Sequence, residues 1–283
     1  MPEIIPPKTI LITGTSSGFG LLAAARLASQ KHKVIATMRD PEKSGPLVNE
    51  VHRRKGEVDI LQLDVTNQGS IKRAFNYIGS QYGYLDVLVN NAGYGIGGFF
   101  EDLTEEELRA QFETNFFGVQ NVTREAIPLM RHRKGAKIIN ISSVAGFSTS
   151  PCFGAYNASK WALEAFSESL RYELKLFGID VVLIEPGTYR TNIFHDNAKY
   201  AKNFNDPQSP YFLISQKLKK KVLEYVESCR KDPETIAALI EKIINTTHPK
   251  FRNIPDLEGR LLFTFRKILP FKLYSWMVER ALR

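Results

Sequence analysis

Tyr156 and Lys160 lie four residues apart in Tyr156-Asn157-Ala158-Ser159-Lys160, a spacing that on a helix puts a phenol and an ammonium on one face. A cation beside a phenol favours phenolate and lowers the tyrosine pKa from about 10 towards the working range of an acid–base group. Carbonyl reduction needs such a proton donor. Ser143 ends the run Ile139-Asn140-Ile141-Ser142-Ser143, and its hydroxyl can hold a substrate oxygen. Asn115, in Glu113-Thr114-Asn115-Phe116, is polar inside an apolar helical stretch. There its amide can distort the helix and carry a water towards Lys160.

A second constellation points to a dinucleotide. Thr13-Gly14-Thr15-Ser16-Ser17-Gly18-Phe19-Gly20 follows one strand pattern directly and opens a helix pattern, the context a glycine-rich turn requires. Gly14, Gly18 and Gly20 permit the tight turn, Ser16, Ser17 and Phe19 complete it, and its backbone N–H groups and helix dipole suit a pyrophosphate. Asn90-Asn91-Ala92-Gly93 ends another strand with a second small-residue turn, and Asp64 with Val65 ends a third. In the run Ala36-Thr37-Met38-Arg39-Asp40, Met38 stands where an NAD-specific site places an acid, and Arg39 offers a guanidinium to the 2′-phosphate of NADP. Asp40 is expected to cap the next segment. One charge-assisted hydrogen bond of about 1.5–3 kcal/mol gives roughly a tenfold to hundredfold preference.

The elements that must position these residues alternate through the first 185 positions. Strands are expected at Thr9 to Thr13, Lys33 to Thr37, Val58 to Gln62, Leu85 to Asn90, Ala136 to Ile141 and Ile179 to Glu185, and helices at Gly18 to Gln30, Gln68 to Tyr82, Thr104 to Arg131 and Tyr156 to Phe177. Such alternation implies an α/β fold, a doubly wound parallel sheet covered on both faces. Thr104 and Glu107 have capping-box spacing. Residues 187–232 loosen into aromatic and polar residues with Pro207 and Pro210, and are expected to fold over the carboxyl edge of the sheet as a substrate-binding insertion. Phe194, Tyr200, Phe204, Tyr211 and Phe212 fit an apolar wall above the cofactor or plain packing of that insertion equally well.

Together these residues resemble the short-chain dehydrogenase/reductase family from about Thr9 to Thr191, including Pro186-Gly187 and Thr191. The resemblance implies a Rossmann fold of about seven strands and a catalytic set of Asn115, Ser143, Tyr156 and Lys160. It also implies a place for Lys160 on the nicotinamide ribose and for Asp64 near adenine. Pro186, Gly187, Thr188 and Thr191 would lie along the nicotinamide and phosphates. Phe19 departs from the commoner isoleucine, a change of packing. The Thr37 to Asp40 stretch and the long C-terminal extension look like the hydroxysteroid and retinol dehydrogenase branch. The implied activity is NADP(H)-dependent interconversion of a carbonyl and an alcohol on an apolar, steroid-, retinoid- or lipid-like substrate, with reduction the expected direction. The alternative is an NADP-sensing protein without turnover, against which the intact tetrad argues. In the family the helices at Thr104 to Arg131 and Tyr156 to Phe177 commonly pair across a homodimer, the expectation here.

Composition bounds the rest. The chain has 283 residues, 43% hydrophobic and 24% charged, enough for one large core and too little charge bias for disorder, so residues 1–283 are read as a single domain. Two cysteines, Cys152 and Cys229, make no disulfide framework, no signal sequence opens the chain, and the apolar runs fall far short of the ~20 residues of a membrane span, so a cytoplasmic location is expected. Cys152 fits a small core residue better than a pocket wall, and Lys219-Lys220-Lys221 a solvated helix face. The histidines His32, His52, His132, His195 and His248 show no metal-ligand spacing, and no metal is expected. Of the formal +8 charge, the excess of eight basic over three acidic residues from Lys250 to Arg283 supplies more than half. With no nucleic-acid-binding signature in the body, nucleic acid is not expected as a partner. That tail, residues 250–283, carries Leu257, Leu261, Phe265, Ile268 and Leu269, and after Pro270 Phe271, Tyr274, Met277, Val278 and Leu282, all at helical spacing. Arg260, Arg266, Lys267, Lys272 and Arg280 lie on the polar sides, with Trp276 beside them. Two amphipathic helices follow, which either close over the substrate pocket as part of the core or lie peripherally on an anionic membrane.

Overall fold

Five residues in succession, Thr9–Thr13 (β1), are buried, as a strand packed on both faces must be. Alternate side chains feed opposite cores: Ile10 and Ile12 join one cluster, Leu11 the other. The computed structural model describes residues 6–191 and 198–282. After β1 come Gly18–Ser29 (α1), Lys33–Met38 (β2), Gly45–Arg53 (α2), Val58–Gln62 (β3), Gln68–Tyr82 (α3), Val87–Asn90 (β4) and the short Ile96–Gly97 (β5). The chain continues through Glu105–Phe112 (α4), Gly118–Met130 (α5), Lys137–Ile141 (β6), Gly154–Leu174 (α6) and Asp180–Ile184 (β7). Lys199–Tyr200 (β8), Phe212–Ser228 (α7), Glu234–Asn245 (α8), Arg252–Asn253 (β9), Leu257–Ile268 (α9) and Phe271–Leu282 (α10) complete it.

The main sheet runs β3-β2-β1-β4-β6-β7-β9, parallel at every pairing. The order reverses beside β1, so the ends of β1 and β4 open the crevice where such sheets bind ligands. Ala23, Ala24, Leu27, Leu47, Val51, Ile236 and Ile240, from α1, α2 and α8, cover one face; Ile71, Phe75, Val122, Ala126, Leu170 and Leu174, from α3, α5 and α6, cover the other.

The six expected strands are present, with ends moved by one or two residues. Thr104 forms its capping box, accepting from Glu107 N (3.2 Å) while Glu107 Oε2 accepts from Thr104 N (2.9 Å). The helix expected over Thr104 to Arg131 is interrupted: Glu113–Phe117 is a π-helical turn between α4 and α5. Helices α2 and α8 have no counterpart among the expected elements, and α7 extends the helix face expected only at Lys219-Lys220-Lys221. Residues 198–232 form a small layer: β8 pairs with β5, and Phe204 is buried with Cys152 and Ala201, so Cys152 is a core residue. Tyr200 and Phe204 pack ring to ring at 4.6 Å, whereas Tyr211 stacks on Phe99 at 4.5 Å. Phe194 and His195 lie outside the described residues. Among the described residues no helix is long and apolar enough to cross a membrane.

Candidate functional site

The glycine turn between β1 and α1 is clamped to the end of β4. Thr13 Oγ1 accepts from the N–H groups of Asn91 and Ala92, both at 3.0 Å. The Asn91 amide donates to the carbonyls of Thr13 and Gly14, each at 2.9 Å. Gly14 has φ +71°, and a Cβ there would meet Ala92 Cα at 2.7 Å; one on Gly20 would meet the Gly14 carbonyl oxygen at 2.5 Å. Only glycine fits either position. Gly18 differs: its φ is +60°, but a Cβ would find only Thr191, 3.9 Å away, across open space. With no acidic residue in the first turn of α1, this opening suits a pyrophosphate between the helix N-terminus and Thr191. Phe19 packs edge-on against buried Tyr189, ring centroids 5.5 Å apart.

The other nucleotide candidates lie at the strand ends of the same sheet. Arg39 is exposed just beyond β2, where only its carbonyl is engaged by Gln62 Nε2 at 3.2 Å among the hydrogen bonds described. Asp40 caps the following turn, accepting from Glu42 N at 3.1 Å. Asp64 Oδ1 accepts from Thr66 N (2.9 Å) and Thr66 Oγ1 (2.8 Å), and Val65 is buried against Gly118. After β7, the Pro186 carbonyl accepts from Val144 N at 3.0 Å, Gly187 N donates to Asp256 Oδ2 at 3.0 Å, and the Thr188 carbonyl accepts from Cys229 Sγ at 3.3 Å. Asp256, which the sequence reading passed over, thereby ties α9 to the nucleotide edge. Its signal was the helix-start spacing to Gly259, whose N–H it caps at 2.9 Å.

The catalytic candidates meet at the ends of β6 and α6. Ser143 leaves β6 in extended geometry, and its Oγ accepts from Ala145 N at 3.1 Å. The hydroxyl donates to the Pro186 carbonyl at 3.5 Å. Lys160, one turn beyond, is buried and donates to the Ile141 carbonyl at 2.8 Å. Its ammonium lies 5.8 Å from the Tyr156 ring centroid. Gly95, unremarked in the sequence, lets the β4–α4 loop lie on that ring: a Cβ would sit 3.4 Å from it.

Two sequence expectations change. Burial pushes the Tyr156 phenol up, and the Ser143 hydroxyl opposes it; the lysine was expected to pull it down. Lys160 is itself drawn down to about 8 by desolvation against the attraction of Glu164, so in the protein alone the apolar surroundings outweigh the cation. Asn115 does distort its helix, lying inside the π turn, but its amide does not face Lys160. Its Oδ1 accepts from Tyr94 N (3.1 Å), while its Nδ2 donates to the Tyr94 carbonyl (2.9 Å) and to Ser159 Oγ (3.2 Å). Asn115 therefore pins the loop after β4 to the helix carrying Tyr156. Among the described residues no group of His, Cys, Asp and Glu is placed to hold a metal ion.

The family model for short chain dehydrogenases matches residues 8–201. An uncharacterized oxidoreductase of Bacillus subtilis, YusZ, is 41% identical, with 97% of this chain and 98% of that protein covered. A 3-ketodihydrosphingosine reductase of Bacteroides thetaiotaomicron is 42% identical over 98% and 96%, and retinol dehydrogenase 8 of Bos taurus 35% over 87% and 80%. Among solved structures, a short-chain dehydrogenase from Streptomyces avermitilis superposes with a TM-score of 0.80 at 34% identity, over 98% of this chain and 99% of that one. The glycine turn, the Ser143, Tyr156 and Lys160 cluster and these likenesses agree: the chain belongs to the short-chain dehydrogenase/reductase family of oxidoreductases.

Proposed function

We propose that the protein reduces a carbonyl on an apolar, lipid-like substrate to an alcohol with NADPH. The observation that carries the reading is the cluster of half-buried Ser143 and Tyr156 with buried Lys160, at the same sheet edge as the glycine turn. Ser143 holds the substrate oxygen. Tyr156, protonated at neutral pH because burial raises its pKa, donates the proton to that oxygen. Lys160 keeps a positive charge beneath the phenol and favours the phenolate left behind. Asn115 fixes the loop against Tyr156. The bound nicotinamide supplies the hydride to the carbonyl carbon. Arg39, exposed beyond β2, offers a guanidinium to a 2′-phosphate, which supports NADP(H) over NAD(H).

Relatives matched over most of their length carry sphingoid and retinoid names, which supports an apolar substrate. A homodimer through α4, α5 and α6 is supported by exposed Phe117, Tyr172 and Phe177 along that side.

Tyr156→Phe tests the mechanism. Turnover of any carbonyl the protein reduces should fall by about 10²–10⁴-fold, with NADPH binding within a few-fold of wild type, because only the proton donor is lost. Equal turnover in the two proteins overturns the assignment.

A further inference from the structure

Helices α9 and α10 each dock one face on the body and turn the other outward. On α9, Gly259, Leu262, Phe263 and Arg266 face inward: Phe263 packs edge-on against Phe147 at 5.0 Å, and a Cβ on Gly259 would meet Ile254 Cγ2 at 2.8 Å. On α10, Tyr274 is buried with its hydroxyl 2.5 Å from Ser148 Oγ, and Val278 borders a groove at the start of α6. The tail is thus anchored beside the catalytic serine's turn.

The outward faces are apolar. Leu257, Leu261, Phe265 and Ile268 recur along α9 on the side opposite the docked residues, at 69%, 48%, 48% and 73% exposure. Across Pro270, Phe271, Leu273, Trp276 and Met277 are exposed as well. Scattered surface leucines are ordinary, but contiguous large apolar residues on two successive helices mark a contact surface.

Charge selects the occupant. Arg260 and Lys267 flank the α9 stripe, and Lys272 and Arg280 share the outward face of α10. Arg280 lies 5.2 Å from the Trp276 ring. The two acids of these helices are engaged: Glu258 binds Lys231 (2.6 Å) and Tyr225 (2.9 Å), and Glu279 accepts from Ser275 (2.8 Å). Exposed apolar side chains on successive helices, bordered by lysine, arginine and tryptophan, match a bilayer surface with anionic headgroups. We infer that the outward faces of α9 and α10 are a docking surface for an anionic lipid membrane, which brings the segment after Ser143, on which both helices are anchored, close to the source of a lipid-like substrate. Binding itself does not depend on the catalytic reading, and only the advantage to the substrate rests on it.

The test is co-flotation of the full-length protein with vesicles of phosphatidylcholine alone or with one-third phosphatidylserine, at low and high salt. Protein should float with the anionic vesicles, poorly with the neutral ones, and leave them in about 1 M salt, where screening acts over about 3 Å. The triple variant Leu261→Ser, Phe265→Ser and Trp276→Ser changes only outward side chains, so it should stay folded by circular dichroism and lose flotation at least tenfold. Arg260→Glu with Lys267→Glu and Lys272→Glu should abolish the preference for anionic lipid. Tyr156→Phe should float like wild type, which separates a failure of docking from a failure of the catalytic assignment. No flotation of folded wild type, or flotation unchanged in both surface variants, overturns the inference. A dimer in solution that the triple variant dissociates assigns the face to a second copy and overturns it too.

Discussion

Replacing Glu185 with glutamine should flatten the pH dependence of stability and make the protein more stable at mildly alkaline pH. Glu185, just past β7, is fully buried, and Glu164 on α6 nearly so. One guanidinium nitrogen, Arg252 Nη1, reaches Glu185 Oε1 and Glu164 Oε2, each at 2.5 Å. The other two oxygens, Glu164 Oε1 and Glu185 Oε2, have no hydrogen-bond partner. The two buried carboxylates share Arg252, and Lys160 also attracts Glu164, so the repulsion and burial fall on Glu185, where a proton held between the carboxylates relieves them. Burial, then the charge of Glu164, accordingly pushes Glu185 from 4.5 up to about 8. The folded state keeps a proton that the unfolded chain releases as pH rises above about 4.5, so the associated stability is full below that pH. It is lost as pH climbs to about 8 and constant beyond. At about 1.4 kcal/mol per tenfold, the whole effect is at most about 5 kcal/mol. Glutamine offers Arg252 the same acceptor oxygen and replaces the shared proton with an amide N–H towards Glu164. Urea unfolding midpoints of wild type and Glu185→Gln, followed by circular dichroism from about pH 5 to 9, measure it. Wild type should lose stability up to about pH 8 while the variant stays nearly level there; above it Lys160, drawn down to about 8, bends both profiles alike. Surface carboxylates such as Glu50, held at about 2 by Arg53 and Arg54, act below pH 4.5 and leave this window clear. A level wild-type profile, or an equal slope in both proteins, refutes the shared proton.

Arg39→Ala should weaken NADPH roughly tenfold to a hundredfold while NADH changes little, since only NADPH carries the 2′-phosphate that a charge-assisted bond would hold. Titration of both cofactors decides it, and wild type binding NADH as tightly as NADPH removes Arg39 from the site. Static light scattering at micromolar concentration should return twice the 32.1 kDa chain mass; a particle of that single mass excludes the pairing through α4, α5 and α6.

Much of the fold was legible because the residues concerned answer to local rules. Strands such as β1 and β7 are continuous apolar runs, as strands covered on both faces must be, and the cap at Thr104 and the turn at Gly14 to Gly20 are set within a few residues of sequence. What escaped depends on distant partners. Helix α8 looks like any amphipathic segment until Ile236 and Ile240 are seen against α1, with Glu234 and Glu241 paired to Arg26. The Asn115 amide could be placed on a helix but not aimed, because its partners, Tyr94 and Ser159, come from a loop and another helix. The direction of the Tyr156 shift likewise depends on how dry the pocket is, a property of the whole packed edge and not of a four-residue spacing.

The tail shows why the sequence left core and membrane as rivals. Helical spacing identifies residues that share a face but not how many faces a helix must satisfy. On α9 the turn at Gly259 and Phe263 meets the body, yet Leu257, Leu261, Phe265 and Ile268 lie opposite it. Both stripes are apolar, so a single periodicity signal contained two faces. Docking on the body orders the helices beside Ser148 and Gly187 through Tyr274 and Asp256; that order is what presents a continuous outward apolar surface. Core packing is thus the condition for the proposed outward contact and not its competitor.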